Sequence, residues 1–407
     1  DLRDFSSQIV QEKLEGLVNL GVELNHLKDL DILMERILRE ARRFVNADAG
    51  SIYLRDGEKL IFSYTQNDSL ERKLPPGAKL IYSTFTLPIG HDSVAGFCAA
   101  AGEVLNIPDV YNLAGRAPYS FGRRFDEKTG YRSRSMLAVP LITVRNELIG
   151  VLQIINAQDD SLRIVPFTAM DEKIMLHFAA TAAVALDRAR LTRNIILRTI
   201  RMAEMRDPKE TGAHVNRVAA YAVEIYDRWA VMKGVPRAEI EAKRDVLRMA
   251  AMVHDVGKVA ISDSILKKPG KLTPEEYEIM KQHTAFGADL FRDKRSEFDD
   301  AAEDVSLNHH ECWDGSGYPG ILDDNGKRIR GRKGEEISLF GRIVAICDVY
   351  DALVSRRVYK EAWEESKALQ IIREGSGKQF DPELIDAFFD SLDSLRQVRE
   401  RYPELCD

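Results

Sequence analysis

Between Thr168 and Met205 the chain runs without a glycine or a proline and is rich in Ala, Leu, Ile and Arg. As one helix this stretch would reach roughly 55 Å at 1.5 Å per residue. It divides a chain of 407 residues into a part before and a part after, and two domains are also what such a length predicts. Two shorter helices with a break between them are the other reading. A single helix this long packs on a partner, so a homodimer stalk is expected, although its heptads are imperfect.

The two flanking parts have different periodicities. Residues 6–45 carry apolar residues at helical spacing. SIYLRDGEKLIFSYT then reads as two strands around Asp56-Gly57, and SMLAVPLITVRNELIGVLQIINA repeats the device around Arg145-Asn146-Glu147. Helix, hairpin, loop region, hairpin, helix predicts an α+β sheet domain over residues 1–165, with the connecting helix at 166–205. After Pro208 the strand pattern stops. HVNRVAAYAVEIYDRWAVM, AEIEAKRDVLRMAAMVHDVG, TPEEYEIMKQHTAFGADLF and SLFGRIVAICDVYDALV read as helices, so residues 206–407 are expected to be all-α. The third helix has a clear start, with Thr273 as N-cap, Pro274 after it and Glu276 closing a capping box.

Histidine is sparse, yet five of the eight residues lie between 214 and 310. His254-Asp255 and His309-His310 each stand at a helix end. His283 follows Ile279 and Met280 along what reads as the buried stripe of its helix. Glu210 and His214 share a face only if their helix starts by residue 210, which Gly212 makes uncertain. Asp348 lies in an apolar helix and is expected to be buried, so it needs a cation or an ion pair. Any one of these is more often a satisfied core or capping residue. Their joint occurrence in one helical domain is the composition of a polynuclear metal site. Imidazole nitrogen and carboxylate oxygen suit iron, manganese, zinc or nickel, and the lack of a thiolate cluster argues against structural zinc. The other three histidines act as controls. His91-Asp92 sits in a loop with no partner histidine, and His26 and His177 stand alone on helices, so all three read as structural.

HDVGK (254–258) followed by HHECWDGSGYPG (309–320), with RDPKETGAHVNRV, HTAFGADLF, RIVAICDVYDALVSRRVYKEA and FDPELIDAF in order, resembles the HD-GYP phosphodiesterases. These are a branch of the HD superfamily of metal-dependent phosphohydrolases. The resemblance spans residues 206–390 and implies hydrolysis of cyclic di-GMP to pGpG and on to GMP. It implies metal ligands at His214, His254, Asp255, His283, His309, His310 and Asp348. Glu210 occupies a position that is a ligand in members with three irons, so two or three divalent metals are expected, iron first and manganese second. Adjacent histidines point about 100° apart on a helix, so His309 and His310 are expected to reach different metals. Bridging metals would activate a water and clamp phosphoryl oxygens. Lys258, one helical turn beyond His254, would stabilise transition-state charge. Arg357 and Lys360 resemble the family's phosphate- and guanine-contacting positions. Gly317 and Tyr318 would form a substrate-facing turn. The competing readings are another guanine nucleotide as substrate, and a slow or inactive cyclic di-GMP receptor.

SVAGFCAAAGEVLNIPDVY, RRFDEKTGYRSRSMLAVPL and LIGVLQIINA in the first domain resemble a GAF sensor module, whose ligand the residues leave open. The expected signal path is the helix at 168–205. The net charge of -7 argues against a general nucleic-acid binder. Four scattered cysteines fit a reducing, cytoplasmic setting. No apolar run is long enough to cross a bilayer.

Overall fold

The computed structural model describes residues 19–74, 85–113, 117–204, 212–323, 328–355 and 363–403, together with Gly16 and Gly115. Two compact units meet in sequence at Arg193 and Asn194.

The first unit is a twisted antiparallel sheet with apolar cores on both faces. Helical residues 19–26 stop at Leu27, and helix α1 (Leu30–Phe44) restarts on Asp29, whose carboxylate caps the amides of Asp31 and Ile32. The two expected hairpins form. Strands β1 (Ala47–Asp56) and β2 (Lys59–Asn67) turn at Gly57 with φ +57°. Strands β5 (Met136–Ile142) and β6 (Leu148–Gln158) turn at Asn146 with φ +60°. With β3 (Thr86–Pro88) and β4 (Leu105–Ile107) the order is β3-β2-β1-β6-β5-β4. Strand alternation sends Leu137, Val139 and Leu141 to the helix-covered face, with Ile37 and Leu38 of α1. Met136 and Ala138 face the other side, where Val94 and Cys98 of helix α2 (Val94–Ala101) cover them.

The long stretch is one unbroken helix, α3 (Ala169–Glu204). Its first half is part of the first unit's core: Ile174, Met175, Phe178, Ala182, Ala183, Leu186 and Ala189 are all buried there. Ile200, near its end, is buried in the core of the second unit. No helix among the described residues is long and apolar enough to cross a membrane.

The second unit is mainly helical. Helices α4 (Gly212–Met232) and α5 (Arg237–Met252) pair, a 3-10 turn follows at Val256–Ala260, and α6 (Pro274–Lys281), α7 (His283–Asp289), α8 (Glu297–Asn308) and α9 (Leu339–Val354) complete the part that carries the site. Tyr221, Tyr350 and Phe388 stack edge to face through the core, with centroids 5.4 and 5.1 Å apart. The expected capping box at Thr273 and Glu276 is present.

Two expectations change. TPEEYEIMKQHTAFGADLF is not one helix but α6 and α7, broken at Gln282. The break is made by side chains: His283 Nδ1 bonds the Met280 carbonyl at 2.7 Å and Thr284 Oγ1 donates to Lys281 O at 3.0 Å. His283 therefore opens a helix and is buried, whereas Ile279 is exposed. Strands also recur after Pro208, in a hairpin of Ile321–Leu322 with Arg328–Arg330. Segments of two and three residues are too short for alternation to register.

If the first half of α3 is core, Phe178→Ala should cost about 3–5 kcal/mol in urea unfolding followed by first-unit signals. Lys173→Ala, on the exposed side of the same helix, should stay within about 0.5 kcal/mol.

Candidate metal centre

Helix ends build the site. His254 and Asp255 follow the end of α5, His283 opens α7, and His309 caps the end of α8. His214 lies in the first turn of α4, and Asp348 in the third turn of α9. Close approach of two segments depends on Gly257. A Cβ there would fall 1.9 Å from the His283 carbonyl and 2.3 Å from the Gly287 amide, so only glycine lets the His254-Asp255 turn press against α7.

The ligand atoms gather in two adjoining groups, Asp255, His283, His309 and His310 in one and His214, His254 and Asp348 in the other. Within each group they lie within 4.8 Å of one another. The His254 and His309 rings connect the groups at 5.2 Å. Asp255 faces both: Oδ1 lies 3.2 Å from His283 Nε2 and 3.5 Å from His309 Nε2. Its Oδ2 lies 3.3 Å from His254 Nε2 and 2.8 Å from Lys258 Nζ. His309 and His310 fall in the same group, with ring centroids 4.1 Å apart.

Hydrogen bonds set the tautomers. Nδ1 of His254 bonds Ala251 O at 2.7 Å, that of His283 bonds Met280 O, and that of His309 bonds the carbonyls of Val305 and Ser306, both at 3.0 Å. A carbonyl only accepts, so each Nδ1 carries the proton and each Nε2 of a neutral ring presents a lone pair. Burial lowers the His309 imidazole, and burial together with the neighbouring His309 holds His310 well below the ordinary range. Burial would raise the Asp255 carboxyl, but the Lys258 ammonium beside it pulls the other way, and the carboxyl lies well below the usual range. Asp255 Oδ1, His283 Nε2 and His309 Nε2 are buried without a hydrogen bond. Lone pairs of two imidazoles facing an ionised carboxylate oxygen repel one another, and a cation between them removes that cost. The donor set thus fits a divalent metal bound through nitrogen and oxygen.

Asp348 is only partly buried, with its side chain 15% exposed and Oδ1 3.5 Å from His214 Nε2. The fully buried carboxylate of α9 is Asp351. It takes a bidentate pair from Arg217, Nε at 2.6 Å and NH2 at 2.8 Å, and His214 Nδ1 at 2.8 Å. Burial alone would raise the Asp351 carboxyl, but the Arg217 and His214 hydrogen bonds hold it at about 2. Sequence reasoning missed Asp351 and Arg217. The available signal was spacing: each lies three residues after a proposed ligand, on the same helix face.

In the GSGYPG turn, a Cβ on Gly317 would meet the Cys312 amide nitrogen at 2.2 Å, so the turn folds directly onto the residues after the histidine pair. Glu311, which had no assigned role, accepts the Gly320 amide at 2.5 Å. Tyr318 stacks on His310 with centroids 4.9 Å apart. Lys258 is paired with Asp255 at the edge of the site. Glu210, Arg357 and Lys360 lie outside the described residues. Among the controls, His26, His91 and His177 are exposed, and His91 Nδ1 bonds Pro118 O.

Asp351→Ala would strand a buried Arg217 and free the His214 ring. Urea unfolding of the metal-free protein should lose about 3–5 kcal/mol, and metal titration should weaken about 10–100-fold.

The HD domain family matches residues 199–384, and the GAF domain family matches residues 29–186. The chain is similar to a cyclic di-GMP phosphodiesterase of Vibrio cholerae, 44% identical over 192 residues, or 46% of this chain and 37% of that protein. A cyclic di-GMP phosphodiesterase of Thermotoga maritima is 40% identical over 200 residues, 49% of each chain. A 3'3'-cGAMP-specific phosphodiesterase of Vibrio cholerae is 39% identical over 196 residues, 48% of this chain and 34% of that protein. The chain thus spans half or less of the length of these relatives. Residues 29–186 thus match the GAF domain family and residues 199–384 the HD domain family, and the relatives named here are cyclic dinucleotide phosphodiesterases.

Proposed function

We propose that this protein is a metal-dependent phosphodiesterase that hydrolyses cyclic di-GMP to linear pGpG, with GMP as the alternative end product, under control of its GAF domain. The observation that carries the reading is Asp255, whose Oδ1 faces the buried, unbonded ring nitrogens of His283 and His309 and whose Oδ2 faces His254 and Lys258. His214, His254, Asp255, His283, His309, His310 and Asp348 would hold the metals, iron first and manganese second. Glu210 would add a ligand for a third. Bound divalent metals supply an activated water and neutralise phosphoryl charge. The chain's own residues do the positioning. The carbonyl-bound Nδ1 atoms fix three rings, Asp351 fixes a fourth, and Lys258 offers an ammonium at the edge of the site for a phosphoryl oxygen. Gly317 and Tyr318 shape the substrate side, with Arg357 and Lys360 as phosphate and guanine contacts.

Metal-loaded protein kept anaerobic and reducing should turn over cyclic di-GMP, lose the activity to a chelator and regain it on adding iron or manganese. No product would sink the reading. Glu210→Ala should lose one of three metal equivalents, and unchanged stoichiometry would count against Glu210 as ligand of a third metal.

The 3'3'-cGAMP-specific relative favours a second reading in which that dinucleotide is the better substrate; side-by-side kcat/KM values decide between them.

Regulation would pass through α3, whose first half is part of the first unit's core and whose Ile200 is buried in the second unit's core. A homodimer is supported by exposed Val184, Leu191, Ile195 and Met202, spaced seven, four and seven residues apart along α3. Arg188 and Arg198 interrupt the seam. The working place would be the cytoplasm. Removing residues 1–193 should change both turnover and oligomeric state, and no change in either would refute control by the first domain.

A further inference from the structure

Helix α6 stands at the border of the site with no buried residue of its own. Its capping box, and an ion pair between Glu276 and Lys268 at 2.6 Å, fix its start. Its Tyr277 is 47% exposed, and Lys281 lies one turn further on the same face. Tyr277 meets Tyr318 edge to face, with centroids 6.2 Å apart and planes at 80°. Tyr318 in turn lies on His310 and 6.4 Å from the His283 ring. The Lys281 ammonium sits 5.4 Å from the Tyr277 ring centre and 5.8 Å from that of Tyr318. Its carboxylate partner is Glu278, at 2.5 Å, with the Lys281 side chain 20% and the Glu278 side chain 69% exposed, so the carboxylate is free to swing into water and leave the ammonium to a ligand.

A half-exposed aromatic ring, a second ring at right angles to it and an ammionium between them thus border the histidine group that contains His283 and His310. Aromatic rings of this kind hold nucleobases by stacking, whatever the base, and an adjacent cation attracts the phosphate. The fully buried alternative, in which the rings only plug the edge of the core, does not leave Tyr277 in water. We infer that Tyr277 and Lys281 form a purine-and-phosphate subsite that holds the half of a cyclic dinucleotide away from the bond being cut. The inference rests on the proposed cyclic dinucleotide activity. It makes Tyr277 a binding residue that does not read base identity, because stacking uses the ring face rather than the hydrogen-bonding edge.

The test uses the full metal-loaded chain with cyclic di-GMP, 3'3'-cGAMP and methyl 4-nitrophenyl phosphate, which carries no purine. Tyr277→Ala should raise KM for both dinucleotides by the same factor, about 5–50-fold, with kcat within about threefold and Tyr277→Trp restoring KM. The purine-free ester should be cleaved at the wild-type rate. Lys281→Gln should raise KM for the dinucleotides most at low ionic strength, the gap closing as salt screens it. Metal content and melting temperature should match the wild type. Unchanged KM in both variants, or a fall in kcat at constant KM, would overturn the subsite while leaving the activity standing. Absence of dinucleotide turnover by the wild-type protein would remove the activity and the subsite together.

Discussion

The Asp255 carboxylate is the point on which the second unit turns. One oxygen faces His283 and His309, the other His254 and Lys258. An ionised carboxylate in so buried a place is sustained by cations and hydrogen-bond donors, and three of the four groups around it are imidazoles whose ring protons already serve backbone carbonyls. Much of the surrounding architecture brings those groups to one carboxylate. Gly257 allows the contact with α7, and the end of α8 delivers His309.

A second ion pair lies behind the first. Arg217 and Asp351 are both almost fully buried, and their bidentate contact joins α4 to α9. Because Asp351 also bonds His214, the same pair that packs two helices aims a ring into the site. Packing and ligand orientation are therefore coupled. A pair buried this deeply is weak evidence for added stability compared with an apolar pair, and its link to His214 supplies a reason for its presence that stability alone does not.

What was legible in the sequence follows from the range of the physics involved. The hairpins at Gly57 and Asn146 are local turn chemistry, and α3 follows from the absence of Gly and Pro, so both could be read directly. The histidine set could be read because a rare residue type clusters. The break at Gln282 could not, since glutamine favours helix and the break is made by His283 and Thr284 taking carbonyls of the preceding turn. Nor could Asp348 be told from Asp351. Both are acidic residues on one apolar helix, and only the tertiary position of Arg217 decides which is sealed in.

Three of the site's rings carry out a task usually left to glycine, asparagine or water. The last carbonyls of a helix have no partner within it. His254, His283 and His309 each bond carbonyls in the final turn of α5, α6 and α8. Closing the helix and aiming the ring are one event, completed as the chain folds. A cation arriving later finds donors whose rotational freedom is already spent, and the entropy of ordering them is charged to folding rather than to binding.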